Sequence, residues 1–316
     1  MDKRLAMDLQ EMQQELIAIR HDIHANPELS MQEARTSKLV ARKLKQYEFI
    51  VTEEVGRYGV VGTLESVPPG DRSIALRADM DTLKLVEESN VSYTSTVPEV
   101  MHAYGHDGHT AMLLDAAKYL SNHRNSFFGT VYFIFQPGEE KLEGAVAMMN
   151  DQLFERFPFD VIDGLHNSSG KPIGTFNIRF SPMMAASDRF LVTFQGTDGH
   201  GGAYSHLAMD ATVLQAQFIL ALQTIVSRNI SPNNAAVISV GAIQGGSFNS
   251  LNVMPSEIRI GGITRSFTKL NIIDWGAALV NHDEETARLV TAAESLVGKE
   301  HVNANATPFT SGEVFA

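Results

Sequence analysis

Three short segments of this 316-residue chain bring together side chains that could bind a metal ion. The densest, MHAYGHDGHT, places His102, His106, Asp107 and His109 within eight residues. Because the chain contains no cysteine, a metal would have to be held by histidine and carboxylate groups, which are ligands of zinc and similar divalent ions. On its own, this segment is explained equally well as a polar loop that caps a helix beginning near Thr110.

The other two segments carry a pair of carboxylates and a single histidine. QPGEE places Glu139 and Glu140 after an apolar run. Because neighbouring side chains at a strand end point in different directions, one carboxylate could bind a cation while the other acts as a base. GLHN places His166 after another apolar run. A solvated loop and a hydrogen-bonded core histidine are the alternative interpretations, but the three segments together favour a hydrolase whose catalytic metal keeps an open position for water.

The elements that would position these segments alternate between helix and strand. Apolar residues at helical spacing predict helices at 5–24, 32–47, 110–120 and 143–153. Runs rich in β-branched and aromatic residues predict strands at 49–55, 59–65, 73–79, 129–137 and 160–166. Each candidate segment follows a β-run, and ligands of open α/β sheets bind at the carboxyl ends of strands. The sequence therefore predicts an α/β domain with the candidate site at one edge of its sheet.

The pattern changes beyond Pro182. A predicted strand at 189–196 is followed by a loop rich in glycine and histidine, a long helix at 207–228, and strands at 237–246 and 257–267. This order predicts a smaller α+β domain inserted into the α/β domain. A further helix is predicted at 285–298.

Composition and charge exclude several classes of protein. Apolar residues make up 44% of the chain, which is enough for a sizeable core. Lys and Arg total 25 against 37 Asp and Glu, and the net charge of −12 disfavours nucleic acid and membrane surfaces as partners. No apolar run approaches the roughly 18 residues of a membrane span, and the N-terminal residues alternate charged with apolar side chains instead of forming a signal-peptide core. We therefore expect a cytoplasmic protein.

Eight segments resemble one enzyme family, and the match runs in order from about Arg20 to Ala316. They are RHDIHANPELSMQEARTS, LRADMDTL, MHAYGHDGHTAML, FQPGEE, GLHN, GTDGHGGAYSH, LQTIVSRN and SLNVMP. On these segments the chain is similar to the amidohydrolase branch of the aminoacylase and carboxypeptidase metallopeptidase family, which includes hippurate hydrolases, N-acetyl-diaminopimelate deacetylases and auxin-conjugate amidohydrolases. The resemblance implies a zinc-peptidase-like three-layer α/β catalytic domain at 1–183 and 279–316, with a small α+β lid or dimerisation domain at 184–278.

The resemblance also implies an activity and a cofactor. The family splits the amide bond of N-acyl amino acids at a pair of divalent metal ions, usually Mn, Zn, Co or Ni. His106, Glu140 and His166 match metal ligands of the family. Glu139 matches the general base that takes a proton from water and passes it to the leaving amine.

Further matches concern the substrate and the surroundings of the metal. His200 matches a histidine of the small domain that stabilises the oxyanion, often in the partner subunit's active site, and Asn252 matches an asparagine near the bound substrate carboxylate. Asp79 and Asp81 match an acidic pair of the kind that orients metal-ligating histidines. The family resemblance thus predicts a small-molecule N-acyl amino acid as the ligand and a homodimer formed through the small domain.

Three departures from the family pattern set the expected level of activity. Tyr104 stands where the family has a metal-ligating cysteine, and phenols, which ionise near pH 10, replace thiolates poorly as ligands. The small domain is shortened between Thr268 and Ala278, and the chain reaches SGEVFA, with Val314 in place of an acidic residue, without the family's last ligating histidine. We expect a weak amidohydrolase with one metal ion. The alternatives are an impaired remnant that keeps the fold and a pocket, and a purely structural homodimer.

Overall fold

The computed structural model describes residues 3–267 and 278–308, with side chains from Leu5 onward. These residues form two compact units, one comprising 3–178 with 284–304 and the other 179–283 with 305–308, less the segment that is not described. The domain boundaries predicted at 183 and 279 stay predictions. The predicted shortening after Thr268 and the position of Val314 lie outside the described residues.

The first unit begins with helices and strands in alternation. In chain order they are α1 (Lys3–Ala25), α2 (Ala34–Gln46), β1 (Ile50–Val55), β2 (Gly59–Glu65), β3 (Ser73–Asp79), α3 (His106–Asn122), β4 (Thr130–Gln136), α4 (Gly144–Asn150), α5 (Leu153–Arg156), β5 (Val161–Gly164) and β6 (Phe176–Asn177). Five strands form one sheet in the order β1-β2-β4-β3-β5. The β1–β2 and β2–β4 pairs are antiparallel, whereas β3 is parallel to both β4 and β5.

Both faces of this sheet are buried. Phe133 and Phe135 of β4 pack on one face with residues of α1, α2 and α3. Ile134, between them, points to the other face and packs with Met148 of α4 and Leu153 of α5. Burying an aliphatic or aromatic side chain of this size contributes about 2 to 3 kcal/mol. Helices on both faces of a mixed sheet are the predicted three-layer α/β architecture.

The second unit contains β7 (Ser181–Met184), β8 (Ala186–Gln195), β9 (Gly199–His200), α6 (Ala211–Thr224), β10 (Ala236–Gly245), β11 (Val253–Met254), β12 (Glu257–Ser266) and β13 (Leu279–Asn281). Strands β10, β12 and β8 form an antiparallel sheet. Phe194 of β8 and Ile260 of β12 pack with Phe218 of α6 in its core. After the second unit the chain forms α7 (Asp283–Val297) and β14 (Val302–Asn303). Strand β14 belongs to the first unit, where it pairs in parallel with β6.

Three predicted helices differ from the structure at their ends. The helix predicted from 207 begins at Ala211, because the Asp210 carboxylate caps it by accepting from the Thr212 amide. The helix predicted at 143–153 is broken where Gln152 takes a φ of +61°. The helix predicted from Thr110 begins at His106, which places His106, Asp107 and His109 in its first turn and leaves His102 before it. Among the described residues, no helix combines the length and apolar character that a membrane span requires.

Candidate metal centre

The three candidate segments meet at one edge of the five-stranded sheet. Strands β3, β4 and β5 run parallel, so their carboxyl ends lie on the same side. Asp79 ends β3, Glu139 and Glu140 follow β4 by a few residues, and His166 follows β5. Helix α3 begins at the same edge with His106. One ligand atom each from His106, Glu139 and Glu140 lie within 4.8 Å of one another.

The two ring nitrogens of His106 have different surroundings. The side chain is buried, and Nδ1 is 3.0 Å from the main-chain carbonyl of Asp81, to which it donates a hydrogen bond. Nε2 is buried and has no hydrogen-bond partner among the described residues. A histidine that ligates a metal characteristically donates its other ring N–H in this way. A buried acceptor left without a partner costs about 1 to 3 kcal/mol, so this nitrogen fits a metal ion that would take its lone pair.

The distances and charges around His106 Nε2 also suit a cation. Glu140 Oε1 and Asp79 Oδ1 each lie 3.8 Å from it, and two donor atoms bound to one zinc-like ion lie about 3.4 Å apart at a tetrahedral angle. Burial acts to lower the pKa of His106, but the Asp79 and Asp81 carboxylates outweigh it and raise the pKa to about 9, so a proton occupies the lone pair of Nε2 at neutral pH unless a metal ion takes it. Burial and the neighbouring Glu139 raise the pKa of Glu140 to about 7. The site favours a positive charge at this point, which a divalent cation would supply.

His166 is exposed, unlike His106, but its Nδ1 makes a similar hydrogen bond. Its Nδ1 donates to the carbonyl of Asn167 at 2.7 Å, which leaves Nε2 as the acceptor. Its ring centroid lies 6.0 Å from that of His106 and 4.5 Å from that of His109. His106 and His166 belong to a second group of potential ligands that also contains Asp79 and His109. The predicted set of His106, Glu140 and His166 therefore spans two overlapping groups that share His106.

His109 is held by hydrogen bonds on both ring nitrogens. Nδ1 donates to Asp79 Oδ1 at 2.6 Å, and Nε2 accepts from the main-chain N–H of Asn167 at 3.0 Å. These bonds occupy both nitrogens, so we interpret His109 as the residue that orients the His166–Asn167 segment and not as a ligand. From the sequence, His109 was one of four possible metal ligands, and Asn167 had no predicted role of its own. The spacing of three between His106 and His109 was the available signal, since it places both on one helix face.

Asp79 and Asp81 lie beside the candidate ligands. Asp79 Oδ2 accepts from Arg77 Nη1 at 2.6 Å. Burial acts to raise the pKa of Asp79, but Arg77 and the histidines hold it well below its usual range. Asp81 Oδ2 accepts from the Ser30 hydroxyl and from the Glu140 amide, the latter at 3.0 Å. Asp81 thus contacts both the loop that carries Glu140 and, through its carbonyl, the ring of His106.

The remaining polar residues of the histidine segment face α1. Asp107 Oδ2 accepts from His24 Nδ1 at 2.9 Å and from Arg20 Nε at 3.1 Å. His102 is buried, and burial lowers the pKa of His102 to about 4, so it is neutral. Neither His102 nor Asp107 belongs to a group of potential metal ligands among the described residues. Only His106 and His109 of the four candidates in this segment do so.

Tyr104 lies just before the turn into α3. Its side chain is 57% exposed. Gly105, the next residue, has a φ of +83°, which lets the chain turn into the helix at His106. Because its side chain is largely exposed, packing does not fix the phenol of Tyr104 beside the candidate ligands.

His200 and Asn252 lie in the second unit. Strands β9 and β11 pair there, with His200 opposite Val253. Asn252 Nδ2 lies 3.4 Å from His200 Nε2, and His200 Nδ1 accepts from the Ala203 amide at 3.2 Å. The structure brings these two predicted residues together, and their roles toward a substrate stay predictions.

Comparisons with known proteins agree with this geometry. The model of peptidase family M20/M25/M40 matches residues 75–316. The hippurate hydrolase of Campylobacter jejuni is 38% identical over an alignment that covers 98% of this chain and 86% of that protein. An N-acyl-L-amino acid amidohydrolase of Geobacillus stearothermophilus is 40% identical over 81% of this chain and 68% of its own length.

A solved structure gives the same assignment. A dinuclear metal-binding peptidase of the M20 family from Bacillus subtilis superposes with a TM-score of 0.77 at 28% identity, covering 95% of this chain and 84% of that one. The matched segment includes every candidate ligand described above. The chain therefore belongs to peptidase family M20/M25/M40 and is, as the sequence predicted, a metal-dependent hydrolase of amide bonds.

Proposed function

We propose that this chain hydrolyses the amide bond of N-acyl amino acids, of the hippurate or N-acetyl type, with a divalent metal ion held by His106, Glu140 and His166. The observation that carries the proposal is His106 Nε2, a buried nitrogen without a hydrogen-bond partner in the described structure, 3.8 Å from a Glu140 oxygen. The names of the hippurate hydrolase and the N-acyl-L-amino acid amidohydrolase support this substrate class.

In the proposed reaction the metal ion and three side chains each have a separate role. A divalent ion, when bound, supplies a Lewis acid that polarises the amide carbonyl and makes water more acidic. The Glu139 carboxylate takes a proton from the attacking water and delivers it to the leaving nitrogen. In this proposal His200 donates a hydrogen bond to the developing oxyanion, and Asn252 binds the substrate carboxylate. The acyl group, the amino acid and the choice among Mn, Zn, Co and Ni depend on pocket shape and ligand field.

We further propose that the centre holds one metal ion. Tyr104 replaces a thiolate ligand of the family, and its side chain is largely exposed. His109 makes hydrogen bonds with both ring nitrogens and so does not replace the missing ligand. The same observations favour a second candidate function, a catalytically impaired member that keeps the fold and binds ligand.

Metal counting and an activity assay separate these proposals. We expect purified protein to bind one Mn²⁺ or Zn²⁺ per chain by elemental analysis and to hydrolyse hippurate or N-acetyl amino acids slowly. Tyr104→Cys should raise the metal content, with Tyr104→Phe as the control that removes the hydroxyl without adding a thiol. Two metals in the unaltered chain with fast turnover would refute the single-metal proposal. Bound metal without hydrolysis would support the impaired member.

Assembly and location are part of the proposal. We infer a homodimer formed through the second unit, where α6 exposes apolar side chains such as Leu220 at 71% and Val213 at 53%. We also propose a cytoplasmic protein, and the net charge of −12 supports one that does not bind nucleic acid or membrane surfaces.

A further inference from the structure

A buried glutamate that the proposed mechanism does not use reaches the turn carrying Glu139 and Glu140. Glu33 lies immediately before α2 and is 0% exposed. Its Oε1 accepts from two main-chain amides, those of Met31 and Gly138, each at 2.8 Å. Gly138 precedes Glu139 directly, so a side chain at the start of α2 bonds to the main chain of the candidate site.

The turn after β4 depends on how Gly138 is held. Gly138 has a φ of +60°, a conformation that favours glycine. Its carbonyl accepts from the amides of Glu143 and Gly144 at 3.2 and 3.1 Å. With its amide bonded to Glu33, both polar groups of this residue have partners. A Cβ at this position would lie 2.6 Å from the Met31 sulfur, so the segment before α2 also packs against the turn.

The same segment makes a second contact with the site. The Ser30 hydroxyl donates to Asp81 Oδ2, the atom that also accepts from the Glu140 amide. The main-chain carbonyl of Asp81 accepts from His106 Nδ1. Residues 30–33 therefore bond on one side to Gly138 and on the other to the aspartate that contacts both Glu140 and His106.

We propose that Glu33 is a positioning residue whose carboxyl group, by holding the Gly138 amide, fixes the direction in which Glu139 and Glu140 leave the turn. The proposal rests on the proposed function only for the roles of Glu139 and Glu140. A carboxylate that accepts two main-chain amides from different segments restricts both of them. Residues that support metal ligands in this indirect way change metal affinity by roughly 10- to 100-fold when removed.

Glu28 provides a matched control within the same segment. Its carboxylate also accepts main-chain amides, from Arg35 at 2.9 Å and from Thr36 at 2.8 Å. These amides lie in the first turn of α2. Glu28→Ala therefore removes the same kind of bond from α2 and reports the cost of loosening this segment.

Three substitutions at Glu33 separate the effect of the position of its accepting oxygen from the effect of its charge. Glu33→Ala removes the acceptor. Glu33→Gln removes the charge but keeps an amide oxygen at the same distance from the main chain. Glu33→Asp keeps the charge but withdraws the oxygen by one methylene, and it should preserve the fold if the alanine variant does not.

The test combines amide exchange with metal titration on the full chain. We expect Glu33→Ala and Glu33→Asp to speed hydrogen exchange of the Gly138 amide at least 10-fold, measured by NMR, and to weaken Co²⁺ binding roughly 10- to 100-fold, measured from visible absorption. Glu33→Gln should stay within about threefold of the unaltered chain in both measurements, because its amide oxygen still accepts. Glu28→Ala should speed exchange at Arg35 and Thr36 and leave Co²⁺ affinity unchanged.

Two outcomes would overturn the proposal. In the first, Glu33→Asp behaves like the unaltered chain while Glu33→Gln loses Co²⁺ affinity. The charge of Glu33, and not the position of its accepting oxygen, would then determine Co²⁺ affinity. The other is Glu33→Ala matching Glu28→Ala in both measurements. If the unaltered chain bound no Co²⁺, the proposed metal centre would fail, while exchange at Gly138 would still decide the role of Glu33.

Discussion

His106 shows how one residue obtains two chemical roles from its surroundings. The Asp81 carbonyl accepts a hydrogen bond from Nδ1, so Nε2 is the nitrogen that faces two carboxylates and is placed to bind a cation. The neighbouring Asp107 points the other way and bonds to His24 and Arg20 of α1. Adjacent residues in the first turn of α3 thus have different contacts. His106 lies at the candidate site, and Asp107 bonds to α1.

A prediction at the residue scale concerns Glu139. Glu139→Gln removes the group that accepts a proton but keeps the shape of the side chain. We expect hydrolysis of hippurate or N-acetyl amino acids to fall roughly 100- to 10,000-fold, while Zn²⁺ binding measured by calorimetry changes little, because His106, Glu140 and His166 remain. The exposed Glu143, substituted in the same way, is the control and should leave both unchanged. Undiminished turnover in Glu139→Gln would show that another residue is the base.

At the scale of the element, the start of α3 depends on Gly105. A Cβ at Gly105 would lie 2.7 Å from the side-chain nitrogen of Asn167, and φ there is +83°. Gly170 has a similar φ of +75°, but an added Cβ meets no described atom within 4 Å. The two glycines therefore separate the cost of the backbone conformation from the cost of the clash.

Gly105→Ala should destabilise the protein more than Gly170→Ala. Both substitutions cost roughly 1 to 2 kcal/mol for the left-handed conformation. Gly105→Ala adds about 1 to 3 kcal/mol, the usual cost of overpacking, because the added methyl group displaces the Asn167 side chain. Urea unfolding followed by circular dichroism gives the difference. We also expect weaker Zn²⁺ binding in Gly105→Ala alone, since Asn167 follows His166. Equal destabilisation by both variants would contradict the packing at Gly105.

The helices on one face of the sheet are connected through Glu15. This residue of α1 forms ion pairs with Lys43 of α2 and Lys118 of α3. Hydrogen bonds from Lys118 and Lys43 lower the pKa of Glu15 from 4.5 to about 2. Because the folded-state pKa is depressed, the ionised carboxylate stabilises the fold above pH 4.5, and this stabilisation is lost as the pH falls toward 2.

Glu15→Gln should therefore lower the free energy of unfolding in a pH-dependent way. The Glu15 side chain is about one-third exposed, so we expect a loss of about 1 kcal/mol at pH 7, which shrinks below pH 4.5 and in high salt. Glu53→Gln, which breaks the more exposed pair with Lys45, is the control and should cost less than about 0.5 kcal/mol. Denaturant unfolding at pH 7, 4 and 2.5 measures both. A loss that does not depend on pH would show that the carboxylate charge is unimportant.

At the scale of the whole molecule, the predicted homodimer depends on apolar side chains that are exposed on the second unit. Its core lies between α6 and one face of the β10-β12-β8 sheet. Leu220 of α6 is 71% exposed, and Leu191 of β8, whose neighbours Phe190 and Val192 pack into that core, is 81% exposed. The unit thus presents apolar side chains on both its helix and its sheet.

We expect a homodimer that uses the exposed side of α6. Leu220→Glu should convert the dimer to a monomer, because a buried charge without a partner is costly at an interface. Leu191→Glu places the same charge on the sheet and should leave the dimer intact. Light scattering coupled to gel filtration gives the mass of each variant. A monomeric unaltered chain would contradict the prediction, and dissociation by Leu191→Glu alone would move the interface to the sheet.

Patterns in the amino-acid sequence were enough to predict the class of fold and the residue types of the candidate site. Alternating helix and strand patterns predicted the α/β domain, because apolar periodicity reports which face of an element is buried. The three polar segments each follow a β-run, so the meeting of Glu139, Glu140 and His166 at one sheet edge could be expected before the strands were paired. The family motifs added the assignment of a metal-dependent hydrolase of amide bonds.

The groups that hydrogen-bond to the buried side chains at the candidate site could be identified only from the packed fold. The hydrogen bonds of His106 with the Asp81 carbonyl, of His109 with the Asn167 N–H and of Glu33 with the Gly138 N–H each join a side chain to the main chain of a distant segment. Every residue carries the same main-chain donor and acceptor, except proline, which lacks the N–H, so residue type does not indicate which peptide group a buried side chain will meet. Strand pairing and helix packing bring those peptide groups into reach, and for that reason the role of Glu33 emerges from the fold and not from the local pattern of residues.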